Sequence, residues 1–248
     1  MLKPRANPYT WTGWGLLLAG ALTAVTSYVI LNIAWLTALG MAMVIISFIL
    51  LALAKSVPVL SPALSHLLFE TATENLAVLL EELALYTKAV YLPPSLTDDK
   101  SHALVPLAVS PRAEMLGRPL PNRLIVRYGK GPQDIGLLVT TPGTVAVKVL
   151  GERMEANTEQ LGAELSAFFR GTLGIADSVS VSSENDRIRV TFSHLHHERA
   201  NDRTDLVLGS APASVAAALT AAAWDRPVTI FSEGGNARKY DVVIELLK

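Results

Sequence analysis

Forty-nine consecutive residues, 6–54, contain no Asp, Glu, Lys, Arg or His, and the whole chain of 248 residues contains no cysteine. The missing cysteines exclude disulfides, thiol catalysis and Cys-ligated zinc or iron–sulfur sites, and they suit a cytoplasmic setting. The missing charge excludes an ordinary soluble domain over residues 6–54, because a soluble domain has no reason to avoid charge for so long. No Walker motif, G-x-S-x-G elbow or dinucleotide fingerprint occurs. An excess of basic charge is absent too. Residues 56–248 hold 18 Lys and Arg against 22 Asp and Glu. That balance of −4 leaves no electrostatic footprint for nucleic acid.

The uncharged stretch reads as a transmembrane helical hairpin with spans at 11–31 and 33–54 and a tight turn around Asn32. Each span reaches about 30 Å at about 1.5 Å per residue, the thickness of a hydrocarbon core. Gly15, Ala19, Thr23 and Ser27 recur at every fourth residue of the first span, and Ala34, Ala38 and Ala42 do so in the second. Small residues let helix backbones approach closely in lipid, so these stripes are expected to face each other. Lys3, Arg5 and Lys55 flank one end, and the turn carries no charge. The positive-inside rule then places both termini in the cytoplasm of a protein spanning the cell membrane twice. Trp11 and Trp14 should anchor the inner interface, and Tyr28 and Trp35 the outer one.

Three segments follow from this: a hairpin at 1–55, a linker and amphipathic helix at 56–92, and a cytoplasmic α+β domain at 93–248. In the second, Ser61-Pro62 caps a helix expected to reach residue 87 or 88, with an apolar stripe of Leu64, Leu68, Ala72, Leu76, Leu79 or Leu80, and Leu83. Pro93-Pro94 ends that region. Strands are expected at 102–109, 123–128 and 135–140, and Thr141-Pro142-Gly143 opens a short helix. Asn157 with Gln160 makes a capping box for a helix to residue 173. The chain then repeats in architecture. A helix-and-hairpin unit occupies 157–193, with strands at 178–182 and 187–192. A second occupies 208–247, with strands at 228–232 and 240–247 around a turn at Gly234-Gly235. Two tandem α-β-β units build an antiparallel sheet with helices on one face.

Chemistry is sparse. His194, His196, His197 and Glu198 form the densest polar cluster, followed by Asp202 and Asp205. On an extended strand end His194 and His196 share a side, and with Glu198 they could hold a divalent metal; a solvated loop is the other reading. Gly129-Lys130-Gly131 and Gly234-Gly235 lie between strands, so they read as hairpin turns and not as phosphate cradles. Arg112, Arg118, Arg123 and Arg127 concentrate positive charge that could meet anionic headgroups or be ordinary surface.

The paired spans, the amphipathic helix, the Tyr91-Leu-Pro-Pro segment, the Thr141-Pro-Gly turn and the Leu208-Gly-Ser helix resemble uncharacterised archaeal membrane proteins of this layout. The C-terminal α-β-β arrangement is loosely similar to ligand-sensing domains of the 4-vinyl reductase type. Three functions are open. The first is a non-enzymatic accessory or scaffolding subunit with a protein partner or homo-oligomer, held at membrane lipid and needing no cofactor. The second is a small-molecule or lipid sensor with a pocket between the tandem α-β-β units, lined by Phe168, Phe169 and Trp224. The third is a metal-dependent enzyme using the histidine cluster.

Overall fold

A computed structural model describes residues 8–56, 62–97, 100–150, 156–184, 186–196, 202–236 and 238–247. The chain divides into two compact units, residues 1–68 and 69–248.

The first unit is a helical hairpin. Helix α1 (Pro8–Thr26) continues as a π-helical turn (Ser27–Leu31), and α2 spans Ala34–Ser56. Asn32 takes the left-handed conformation at φ 50°, and Asn tolerates that region better than most residues. Buried Ser27 ties the turn together. Its carbonyl accepts from the N–H groups of Asn32 and Ile33, and its hydroxyl donates to the Ile33 carbonyl at 2.9 Å. Thr37 donates to the Ser27 hydroxyl at 3.2 Å. Both helices are long and apolar enough to cross a membrane.

The seam between α1 and α2 differs from the expected one. Gly13 and Gly20 of α1 and Ser27 of the π-helical turn are buried, as are Gly40 and Ser47 on α2. Each row repeats every seven residues, the spacing that keeps one seam facing its partner in a left-handed supercoil. Gly15, Ala19, Ala34, Ala38 and Ala42 turn outward, while Thr23 is half-buried. The seam has only glycine at its closest approach. A Cβ on Gly40 would lie 2.6 Å from the Ala24 nitrogen, whereas one on Gly15 would meet nothing within 4 Å. Trp11, Trp14, Tyr28 and Trp35 are all exposed, near the two ends of the hairpin.

The second unit is built on one antiparallel sheet of eight strands in the order β3-β4-β2-β1-β7-β8-β6-β5. The strands are β1 Val90–Leu92, β2 His102–Pro106, β3 Ile125–Arg127, β4 Ile135–Val139, β5 Ser178–Glu184, β6 Arg187–Ser193, β7 Val228–Asn236 and β8 Lys239–Leu246. Each half of the sheet joins two hairpins through their second strands, β2 beside β4 and β6 beside β8. The expected tandem units supply the second half. Strand β1 pairs with both β2 and β7, so the sheet begins before residue 93 and β1 bridges its halves.

Helix α3 (Pro62–Glu82) stops short of residue 87 because Ala84 turns left-handed at φ 50° and Leu85 is buried. Thr87 and Lys88 hydrogen-bond to sheet carbonyls instead, Lys88 to Phe231 at 2.6 Å. Of the α3 stripe, Leu76, Leu79 and Leu80 join the core, while Leu64, Leu68 and Leu83 stay exposed. Helices α4 (Pro142–Leu150), α5 (Thr158–Ser166), α6 (Asp202–Leu208) and α7 (Ala211–Trp224) complete the unit. The segment Arg203–Trp224 is also long and apolar enough to span a membrane, but it is 78% buried against 11% for each hairpin helix. Its α7 part is the core helix of the sheet, and the alanines of α7 let it lie close to the strands. On the other face of the sheet, Leu96, Leu116 and Leu120 cover Val90, Leu104, Val126 and Leu138.

Candidate functional site

Of the histidine cluster, the structure describes His194 and His196, and these two are not aligned as an extended strand end would align them. Strand β6 ends at Ser193 and His194 turns left-handed at φ 50°, so strand alternation no longer aligns His194 with His196. His194 Nδ1 lies 3.1 Å from an Asp177 carboxylate oxygen, and the His196 N–H donates to the Ile175 carbonyl. His197 and Glu198 lie outside the described residues. No group of three or more His, Asp or Glu residues is placed to hold a metal among the described residues. The aromatic residues proposed to line a sensor pocket serve the core. Phe169 packs edge-on against Phe192 at 4.9 Å and Phe168 at 5.7 Å, and Trp224 packs against the same cluster.

The built polar site is where the N-termini of α4 and α7 converge. At α4, Thr141 and Thr144 cap each other. The Thr141 N–H donates to Thr144 Oγ1 at 3.0 Å, and the Thr144 N–H to Thr141 Oγ1 at 3.4 Å. At α7, Ser210 is the N-cap and its Oγ accepts from the Ala213 N–H. The two helices touch through a glycine. The Gly143 N–H donates to Ser214 Oγ at 3.3 Å, and a Cβ at Gly143 would sit 2.3 Å from the Ser214 carbonyl oxygen.

A carboxylate from the sheet completes the α7 terminus. Ser210 donates to Glu233 through both its N–H (3.1 Å) and its Oγ (2.7 Å), and Tyr240 donates its hydroxyl at 3.0 Å. Negative charge is favoured there by the helix dipole and the free N–H groups. Strict alternation from Val228 and Ile230 would turn Glu233 away from the helices. A bulge between Ile230 and Ser232 shifts the register by one, so Glu233 pairs with inward-facing Val242. Gly234 and Gly235 lie within β7, and the chain reverses beyond Asn236, whose Oδ1 accepts from Arg238 and Lys239.

Tyr91 lies fully buried beneath this site and donates its hydroxyl to the Leu208 carbonyl. Burial pushes its pKa far above the ordinary phenol range, and the nearby Glu233 charge adds to that, while hydrogen bonds with Ser214 and Thr141 oppose it. The folded pKa is raised, so this contribution to stability is present below about pH 10 and is lost as pH rises above the unfolded phenol value. Tyr91→Phe should flatten the alkaline limb of a Tm-against-pH curve. At neutral pH it should cost about 1–3 kcal/mol, because the Leu208 carbonyl is left buried without its donor. An unchanged alkaline limb would show that Tyr91 ionises freely.

Beside these helix ends lies a half-open groove of about 270 Å³. Phe69, Ala72 and Leu76 of α3, Pro142 of α4, Leu208 of α6 and Ala211 of α7 form its apolar wall. Thr140, Thr141, Thr204 and Ser214 supply hydroxyls.

One family model matches residues 2–246. The chain belongs to the family described as domain of unknown function DUF7982. No curated protein and no solved structure matches it. The DUF7982 match takes in both the hairpin and the sheet, so the two units belong to one family architecture. Sequence reasoning missed Tyr91 and Glu233 as members of the site. Val90-Tyr91-Leu92 is a short β-favouring run hidden by the prolines after it, and Glu233 sits 23 residues from the Ser210 it meets.

Proposed function

We propose that this DUF7982 chain is a non-enzymatic accessory subunit, anchored in the cell membrane by α1 and α2. Both termini would lie in the cytoplasm, since Lys3, Arg5 and Lys55 flank one end of the hairpin and its tip is uncharged. The observation that carries this reading is the apolar groove beside the α4 and α7 termini. At about 270 Å³ and half open, it sits at the small end of ligand pockets and suits a single anchoring side chain of a protein partner. The partner segment should carry basic residues beside its apolar anchor, because α3 holds Glu70, Glu74, Glu81 and Glu82 and no Lys or Arg. That same charge disfavours a second copy docking α3 against α3.

Site-specific photocrosslinking tests this in the native membrane. A photoreactive residue in place of Phe69 should yield one discrete protein adduct. Ala72→Trp, which fills the groove from an exposed position, should abolish the adduct without lowering Tm. Adducts to lipid alone, or an adduct indifferent to Ala72→Trp, would refute the proposal.

A further inference from the structure

Charge in residues 56–248 is segregated. Residues 100–148 carry seven Lys and Arg against two Asp and Glu, a balance of +5. The remainder then carries 11 against 20, or −9. Three of those cations, Arg118, Arg127 and Lys130, line one half-open groove of about 740 Å³ between the 113–121 segment and the β3–β4 turn. Among the described residues no carboxylate lies within ion-pair distance of any of the three. Two carboxylates share the lining, Glu114 and Asp134, so it carries three cations against two acids, and Asp134 is engaged by the turn itself. Asp134 Oδ2 accepts from the Gly131 N–H at 2.7 Å, and its backbone N–H donates to the Gly131 carbonyl, closing the turn. Tyr128 fixes the groove's floor by donating its hydroxyl to the Val109 carbonyl at 2.6 Å.

Apolar side chains sit beside these cations. Met115 lines the groove and is 40% exposed. Ile125 lies two residues before Arg127 on edge strand β3, on the same face, and is 60% exposed. Unpaired cations around a cleft with exposed apolar side chains at its edge match a phosphate joined to a hydrocarbon. A solvated salt-bridged surface would pair the cations, and a soluble phosphate site would not need the apolar rim.

We propose that this groove binds the phosphate headgroup of an anionic phospholipid, with Met115 and Ile125 meeting the lipid's apolar boundary. The lipid source rests on the hairpin lying in a bilayer. Tethering then supplies a high local concentration, so a modest attraction from each of three cations is sufficient for binding.

The chain has no cysteine, so Met115→Cys in the 248-residue chain gives a unique attachment point for an environment-sensitive dye. The labelled protein is placed in nanodiscs of phosphatidylcholine alone or mixed with phosphatidylglycerol. The dye should shift to the blue only with phosphatidylglycerol. Neutralising the groove with Arg118→Gln, Arg127→Gln and Lys130→Gln together should remove most of the shift. Salt should weaken it, since the Debye length falls from about 10 Å at 0.1 M to about 3 Å at 1 M. Equal spectra in the two discs would overturn the proposal. So would a response to inorganic phosphate in neutral discs that matches the lipid effect, because it would assign the groove to a soluble anion. Incorporation into neutral discs reports the hairpin alone, and Phe69 crosslinking reports the partner groove, so each reading can fail by itself.

Discussion

Replacing Gly143 with alanine should destabilise the sheet domain by about 3 kcal/mol, the upper end of ordinary overpacking. The added Cβ would stand 2.3 Å from the Ser214 carbonyl oxygen and 2.5 Å from the Ala218 Cβ. Neither atom can yield, because both belong to α7, whose residues from Pro212 to Ala223 are buried. Moving α7 away would also pull Ser210 off Glu233 and disturb the Leu208 carbonyl that Tyr91 holds. For a unit of this size, a loss of about 3 kcal/mol lowers Tm by about 10 °C. Gly162→Ala is the matched control. Its Cβ would meet Val181 at an ordinary 3.6 Å within helix α5, so it should be neutral or stabilise by up to about 1 kcal/mol through helix propensity. Thermal unfolding of the two variants decides the matter. If Gly143→Ala is as harmless as Gly162→Ala, the two helix ends do not meet as described, and the groove beside them loses its frame.

The hairpin offers the second large effect. Gly40→Leu should separate α1 from α2. A Cβ at Gly40 would press on the Ala24 nitrogen at 2.6 Å and on the Gly20 carbonyl oxygen at 2.8 Å, both backbone atoms. In lipid no hydrophobic force holds helices together, so lost packing is not compensated. The readout is disulfide formation between Gly13→Cys and Leu51→Cys, a pair in contact at the end of the hairpin away from its turn. Efficient crosslinking is expected in the parent and its near-complete loss with Gly40→Leu. Gly15→Leu should crosslink like the parent, because nothing lies within 4 Å of its Cβ. The reverse pattern would restore the every-fourth-residue seam.

That contrast shows how a sequence pattern can be sound in kind and displaced in position. Small residues recur in α1 both at every fourth position from Gly15 and at every seventh from Gly13. Either row lets backbones approach. Which one faces α2 depends on the rotation of each helix, and that is set by the π-turn and the Ser27–Thr37 contacts at the tip. The expected alignment of two histidines is displaced for a related reason. Aligning His194 with His196 assumed an extended backbone, and His194 is left-handed.

Local signals in the sequence determined the two apolar helices, the turn at Asn32, the Ser210 and Thr141 caps and the tandem helix-and-hairpin units of the second half. Each is written in neighbouring residues, as hydrophobic run length, cap chemistry or alternation. Tertiary structure alone decided the rest. Strand β1 has three residues, too few to signal a strand, and exists because β2 and β7 pair on its two sides. Glu233 reaches Ser210 because one bulged residue reverses which face it occupies. Arg118, Arg127 and Lys130 become one groove because the 113–121 segment folds against the β3–β4 turn. Contacts between distant segments depend on register and helix rotation, and a linear pattern does not specify either.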